Sequence, residues 1–179
     1  PEELMRQLGG GFCFTKIDLA DAYNQIKLAP ESQRRLALST HRGVLLQTRF
    51  PFGISSAPGY FQEIMDKLTC DLPGVATYLD DILVSGKDAM DHLQNLRGLL
   101  QRLKDKGLRC NLKKCEFAQP SVQYLGHTLS LPREAKSKPF STCHLLRIFQ
   151  LFVHFWVLFN STGNSSRTWL HSQNHSTSF

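Results

Sequence analysis

A length of 179 residues fits one domain, or one domain with an appendage, and 41% hydrophobic residues are enough for a packed core. Residues 1–130 carry 16 Lys and Arg against 14 Asp and Glu, so most of the net charge of +6 lies outside them. Bulk charge therefore gives no argument for a nucleic-acid partner.

Five cysteines without a C-x-x-C pair argue against a disulfide framework, and we expect buried, reduced thiols. The first residues lack a secretory signal, so we expect an intracellular, non-secreted segment of a longer protein.

The predicted elements alternate between strands and helices along the first 130 residues. Strands are predicted at 12–18, 34–40, 44–50 and 123–129, and a β-hairpin at 75–84. One helix starts near Ala57, where Ser55-Ser56-Ala57-Pro58 offers a capping hydroxyl and a first-turn proline. A second helix is predicted from about Asp88 to Lys106, because leucines recur on one face. This order predicts an α+β fold, an antiparallel sheet with helices packed on one face.

The hairpin contains Tyr78-Leu79-Asp80-Asp81, where two adjacent carboxylates interrupt an apolar strand. Adjacent Asp residues are poor strand formers and repel each other unless a cation neutralises them. The pattern therefore predicts a tight turn that offers carboxylates to a hard metal ion. Asp18 ends a similar apolar run, and three carboxylates at one point suit two-metal phosphoryl transfer. The plain alternatives are a surface turn for the Asp pair and a helix cap for Asp18.

Four stretches, in this order and spacing, resemble the palm of reverse transcriptases, most closely those of gypsy-type LTR retrotransposons and retroviruses. They are KIDLADAYNQIKL, TRFPFGISSAPGYFQEIMD, TYLDDILVSG and LKKCEFAQPSVQYLGH, and the resemblance covers residues 1 to about 130. It implies a polymerase palm with the fingers truncated, and RNA-directed DNA polymerase activity by nucleotidyl transfer from a dNTP to a primer 3′-hydroxyl.

The resemblance, carried over residue by residue, makes Asp18, Asp80 and Asp81 the catalytic, metal-binding carboxylates. The implied cofactor is a pair of Mg²⁺ ions, with Mn²⁺ as an alternative. Because successive strand residues point to opposite faces, we expect Asp80 to reach the metals better than Asp81. Tyr23 corresponds to the steric gate beneath the sugar, which selects dNTPs; a core aromatic residue is the alternative.

Further positions are implied near the nucleotide and the primer. Phe52 and Gly53 match the turn beside the incoming nucleotide, and Gln62 matches a helix position near the template. Lys113 and Lys114 match lysines near the triphosphate. Each position has a plainer alternative. Gly53 would be a simple loop glycine, Gln62 an exposed polar residue of the helix, and the two lysines a solvated charge pair. The implied primer grip is the hairpin formed by Tyr124, Leu125, Gly126 and His127.

The resemblance also implies partners. These are an RNA or DNA template with its primer, a dNTP, and the rest of a pol polyprotein, namely fingers, connection and ribonuclease H. We expect the phosphate-binding fingers to lie upstream, so residues 1–130 would be a partial palm with little or no activity alone, inside a cytoplasmic particle. The alternative is an inactive, decayed or domesticated fragment that at most binds nucleic acid.

Residues 131–179 form a second predicted region, in which the resemblance ends and Phe, His and Ser become frequent. Segment 145–159 is shorter than the ~20 apolar residues of a membrane span, so a membrane-associated protein is only an alternative. Residues from Lys138 onward can be back-translated with suitable synonymous codons. When the resulting nucleotide sequence is read two nucleotides further on, the new amino-acid sequence resembles the connection segment of gypsy-type polyproteins. We therefore hypothesise a reading-frame slip, which predicts that residues 138–179 are disordered or poorly packed.

Overall fold

The computed structural model describes Leu8 and residues 11–130. Within these residues, eight strands and three α-helices follow one another, with a short 3₁₀ turn after the first strand. Their bounds are β1 (Phe14–Asp18), α1 (Pro30–Arg35), β2 (Leu38–Thr40), β3 (Gly43–Leu45), α2 (Ala57–Thr69), β4 (Val75–Tyr78), β5 (Asp81–Ser85), α3 (Ala89–Asp105), β6 (Glu116–Gln119), β7 (Ser121–Tyr124) and β8 (His127–Ser130).

The central sheet is antiparallel and has the strand order β4-β5-β1-β6. Strands β4 and β5 are joined by a two-residue turn, with Tyr78 paired to Asp81. Strand β1 then pairs with β5 along its whole length, from Phe14 opposite Ser85 to Asp18 opposite Asp81. Strands β2–β3 and β7–β8 form two separate hairpins. The predicted α+β class with an antiparallel sheet is confirmed.

Alternation along β1 assigns its side chains to two different faces of the sheet. Ile17 is fully buried in the main core, where it packs with residues of α2 and α3 such as Phe61 and Leu99. Full burial of one such side chain contributes about 1.5–3 kcal/mol to folding, so this face holds the helices in place. Lys16 and Asp18, one residue out of phase with Ile17, face the opposite side.

A second, smaller core covers part of that opposite face. It is formed by Leu8, Phe14, Ala76, Leu83, Val122 and Tyr124. The last two residues belong to β7, so the β7–β8 hairpin packs across the sheet beside the ends of β1 and β5. The sheet is therefore covered by helices on one face and partly by a hairpin on the other.

Both predicted helices and the central hairpin are confirmed. Helix α3 is capped by Asp88, whose carboxylate accepts hydrogen bonds from the backbone N–H groups of Met90 and Asp91 at 2.9 Å each. Helix α2 has Pro58 in its first turn, as expected. The predicted capping hydroxyl is wrong, because Ser56 precedes the helix without a side-chain cap hydrogen bond.

Several strand boundaries predicted from the sequence are wrong. The predicted strand 34–40 begins inside helix α1, which has Pro30 in its first turn and Arg35 in its last. Of the predicted strand 44–50, only residues 44 and 45 lie in a strand, the short β3, which begins at Gly43. The predicted strand 123–129 is a hairpin, because Leu125 and Gly126 have φ angles of +51° and +78°, as a two-residue hairpin turn requires. Strand β6 was not predicted.

Four cysteines of the described residues are free thiols. Cys13 is buried, and burial raises its pKa to about 12. Cys110 and Cys115 are partly buried, whereas the expectation of a buried thiol is wrong for Cys70, which is exposed. Cys143 lies outside the described residues.

No helix within Leu8 and residues 11–130 is both long enough and apolar enough to cross a membrane. The segment 145–159, on which the membrane alternative depends, lies outside the described residues. The predicted tail of 131–179 lies outside them as well, and its proposed origin stays a hypothesis.

Candidate active site

Two strand ends and one turn bring the three predicted carboxylates to one place. Asp18 is the direct cross-strand partner of Asp81, so their side chains share one face of the sheet. Asp80 occupies the β4–β5 turn, and its carbonyl accepts a hydrogen bond from the backbone N–H of Leu19 at 3.1 Å. All three acids line one open cleft of about 520 Å³. Asp18 ends a strand, so the helix-cap alternative is wrong; Asp21 precedes the short 3₁₀ turn instead.

The β4–β5 turn has an unusual backbone that Gln62 supports. Leu79 has a φ of +52°, a conformation that costs energy for a residue other than glycine. Its backbone N–H donates to Gln62 Oε1 at 2.7 Å. Gln62 Nε2 donates to the carbonyl of Thr77 at 3.1 Å and to Asp66 Oδ1 at 2.8 Å. Gln62 therefore ties helix α2 to the turn that carries Asp80.

The carboxylates perturb one another through burial and repulsion. Burial raises the pKa of Asp18 above its ordinary value, Lys114 opposes this, and the nearby Asp81 adds to it. Burial also raises the pKa of Asp80, with further increases from the charges of Asp18 and Asp81. Closely spaced carboxylates in a partly desolvated cleft favour a cation among them, since a cation offsets both effects.

Two lysines contact these acids directly. Lys16 Nζ lies 2.9 Å from Asp81 Oδ2, and both side chains are largely shielded, at 19% and 29% exposure. Lys114 Nζ lies 3.9 Å from Asp18 Oδ2, on a side chain that is 68% exposed. Lys113, the other predicted phosphate ligand, is exposed and makes no hydrogen bond or ion pair among the described residues. Of the predicted pair, only Lys114 therefore reaches the carboxylates.

The donor set suits a hard divalent cation. All three groups are carboxylates, the ligands that Mg²⁺ and Mn²⁺ prefer. Asp80 Oδ1 is buried and has no hydrogen-bond partner among the described residues. Within Leu8 and residues 11–130, however, no three His, Cys, Asp or Glu side chains are grouped closely enough to form a ready-made metal cluster. The residues fit such an ion by their chemistry and by this unpaired oxygen.

An aromatic cluster adjoins the acids. The ring of Tyr23 packs edge-on against Phe52 and Phe61, with centroids 5.2 Å away in each case, and lies 6.3 Å from Phe50. Burial raises the pKa of the Tyr23 hydroxyl, and the charge of Asp80 raises it further. Tyr23 is therefore both a packed aromatic residue and a neighbour of a candidate metal ligand, so its two interpretations are compatible.

The Phe52–Gly53 turn and the β7–β8 hairpin differ in how they meet the site. Phe52 is 57% exposed beside Tyr23, and Gly53 has a φ of +86°, which by itself accounts for a glycine. In the hairpin, Leu125 and Gly126 line the carboxylate cleft.

Tyr124 and His127 are the remaining primer-grip positions. Tyr124 is buried in the smaller core, and its hydroxyl has no hydrogen-bond partner among the described residues. Burial raises the pKa of that hydroxyl, and the charge of Asp81 adds to the effect. His127 is exposed at the start of β8. Only two of the four primer-grip residues therefore line the cleft.

Sequence reasoning missed four contributors to the cleft: Lys16, Tyr78, Leu79 and Gln123. The first could have been found, because it lies two residues before Asp18 in the same strand and so shares its face. Gln123 could not, since its position depends on how the β7–β8 hairpin packs on the sheet. The resemblance implies a position near the template for Gln62, and the structure adds that its amide contacts the β4–β5 turn.

An antiparallel sheet with helices on one face, and with Asp18 and Asp81 on the opposite face beside the turn that carries Asp80, is the arrangement of a nucleic-acid polymerase palm. Comparison with known families agrees. The model of the family described as "Reverse transcriptase (RNA-dependent DNA polymerase)" matches residues 2–129. The chain belongs to the reverse transcriptase family.

Two curated relatives illustrate the similarity, and one of them is a transposon polyprotein. It is 42% identical over 128 residues to an uncharacterised protein of Caenorhabditis elegans, and 35% identical over 131 residues to the transposon Tf2-3 polyprotein of Schizosaccharomyces pombe. Each match covers 72% of this chain and 10% of the relative. The chain therefore spans about a tenth of the length of these curated relatives.

Solved structures show the same fold. The native protease-reverse transcriptase of prototype foamy virus superimposes with a TM-score of 0.65 at 28% identity, covering 78% of this chain and 19% of that one. A foamy viral protease-reverse transcriptase in complex with double-stranded DNA gives a TM-score of 0.64 at 26% identity, covering 69% and 24%. The chain is a reverse transcriptase domain of the kind found in retrotransposon and retroviral polyproteins.

Proposed function

We propose that this chain is the palm of an RNA-directed DNA polymerase, which joins a dNTP to a primer 3′-hydroxyl within a retrotransposon pol polyprotein. The convergence of Asp18, Asp80 and Asp81 in one cleft carries this proposal. The fold and the family support it, because the acids lie on the motifs that resemble the catalytic segments of reverse transcriptases.

Asp18 and Asp80 are the residues we propose to hold two Mg²⁺ ions, or Mn²⁺ in their place, with Asp81 completing the set. When bound, such ions would lower the pKa of the attacking hydroxyl and neutralise the phosphate groups. The chain itself supplies the geometry. The backbone contact between Leu19 and Asp80 ties the turn to β1, and Gln62 holds Leu79 in place. These contacts reduce the reorganisation needed when ligands bind.

We propose that the nucleotide lies beside the aromatic cluster. The ring of Tyr23 lies near Asp80 and packs against the exposed Phe52, which suits Tyr23 for excluding a 2′-hydroxyl. Lys114 is placed to contact a phosphate near Asp18, and the exposed Lys113 could serve the same end.

We propose that the primer end lies against the turn formed by Leu125 and Gly126, since that turn faces the acids across the cleft. The foamy viral relative in complex with double-stranded DNA supports a primed template as the partner of this face. The remaining polyprotein segments and a particle in the cytoplasm belong to the same proposal.

The test is primer extension by a chimera in which residues 2–129 replace the matching segment of the Tf2-3 polyprotein. Extension of a primed RNA template with dNTPs and Mg²⁺ is expected, and Asp80→Asn should reduce it about 100-fold or more. Asp105→Asn is the matched control, because this exposed acid of α3 contacts only helix neighbours. Extension that survives Asp80→Asn undiminished would refute the proposed role.

A further inference from the structure

Among the described residues, Lys16 is the one basic side chain that lines the carboxylate cleft, and it is largely shielded from solvent. Nothing in the proposed reaction uses it. Its position follows from the register of the sheet. Lys16 pairs with Leu83 and Asp18 pairs with Asp81, so Lys16 and Asp81 are diagonal neighbours on one face. Diagonal neighbours are within reach of a long side chain, and the ammonium lies 2.9 Å from Asp81 Oδ2.

The pairing of Asp18 with Asp81 creates the need for such a cation. Like charges directly opposite each other in an antiparallel pair are destabilising. Lys114 is less suited to offset this repulsion, because it lies 3.9 Å from Asp18 on a side chain that is 68% exposed and therefore well screened. Lys16 is closer, more shielded, and held by a central strand.

The contact also distinguishes the carboxylates from one another. One oxygen of Asp81 is occupied by the ammonium of Lys16, whereas Asp80 Oδ1 is buried with no partner among the described residues. A divalent cation that entered the cleft would find an unpaired ligand at Asp80 and a paired one at Asp81.

We propose that Lys16 is the built-in counter-ion of the catalytic cleft: it binds the Asp81 carboxylate, competes there with a divalent cation, and leaves Asp18 and Asp80 as the principal ligands. The inference rests on the proposed function, since it assumes that a divalent cation binds these acids. Lys16 is a positioning residue, acting through Asp81.

The experiment measures Mn²⁺ binding by the full chain, following the free ion by electron paramagnetic resonance. Lys16→Met removes the competing cation at similar length, so Mn²⁺ should bind about fivefold more tightly than to the wild type. Lys16→Arg retains the charge and should stay within twofold of the wild type. Lys67→Met is the matched control, because Lys67 forms an exposed pair with Glu63 within α2.

A second comparison separates action through Asp81 from a general structural effect. In an Asp81→Asn background, Lys16→Met should change Mn²⁺ affinity less than twofold, because the competed carboxylate is gone. If Lys16→Met does not fold, Lys16→Gln carries the same comparison. The inference would be overturned if Lys16→Met bound Mn²⁺ no more tightly than the wild type. It would also be overturned if Lys16→Met raised Mn²⁺ affinity equally in the Asp81→Asn background. Either result would leave the polymerase proposal intact. Wild-type Mn²⁺ binding that Asp80→Asn does not weaken would overturn both.

Discussion

Replacement of Gln62 by Ala removes the side chain that supports the β4–β5 turn. Two hydrogen bonds to the turn are lost: the one accepted from the Leu79 N–H at 2.7 Å and the one donated to the Thr77 carbonyl at 3.1 Å. A typical hydrogen bond contributes about 1 kcal/mol, and a partly buried N–H left without a partner costs about 1–3 kcal/mol. We therefore expect the free energy of unfolding to fall by about 2–3 kcal/mol.

The same change should loosen the turn locally. Leu79 keeps its φ of +52° only because its surroundings hold it, and such a conformation costs about 1–3 kcal/mol. With the support removed, the Leu79 amide should exchange with solvent faster than it does in the wild type. Asp80, the next residue, would then be held less firmly for its proposed role as a metal ligand.

Urea unfolding of the full chain at 25 °C, together with hydrogen exchange at Leu79, measures both effects. Lys67→Ala is the control, because it removes an exposed ion pair on the same helix and should cost less than about 0.5 kcal/mol. Gln62→Glu should lie between the wild type and Gln62→Ala, since it keeps an acceptor for Leu79 but loses the donor. If Gln62→Ala stays within about 0.5 kcal/mol of the wild type and leaves exchange at Leu79 unchanged, the reasoning is refuted.

Three further predictions concern pH, packing and the tail. Burial lowers the pKa of His92 from 6.5 to about 4, so protonation favours the unfolded chain. As the pH falls from 6.5 to 4, the free energy of unfolding of the wild type should drop by about 3 kcal/mol relative to that of His92→Gln, as measured by urea titrations. A Cβ at Gly86 would collide with the backbone of His92, so Gly86→Ala should lower the free energy of unfolding by more than about 2 kcal/mol. A Cβ at Gly98 would meet only Leu72, at 3.6 Å, so Gly98→Ala should raise the free energy of unfolding by about 0.5–1 kcal/mol. Genomic DNA should contain the connection-like reading in the second frame from Lys138, and its absence would disprove the frame slip.

Local patterns were enough to predict helices α2 and α3, the β4–β5 hairpin and the acids that it carries. Helices α2 and α3 could be predicted because their periodicity and stop signals are local, and the Asp80–Asp81 turn because two acids interrupt an apolar run. The elements that sequence reasoning missed lack such local signals. Helix α1, Pro30–Arg35, is short and polar, and strand β6 contains Ala118 at a φ of +49° beside an irregular pairing with β1.

How these elements combine could be read only from the folded chain. Strand pairing and register depend on contacts between residues distant in sequence, and local periodicity does not encode them. The register of β1 against β5 places Asp18 opposite Asp81 and brings Lys16 to the same carboxylate. The packing of α2 against β4 turns Gln62 toward the Leu79 N–H. The sequence thus pointed to the candidate carboxylates, and long-range pairing brought them into contact with Lys16 and with the turn that Gln62 supports.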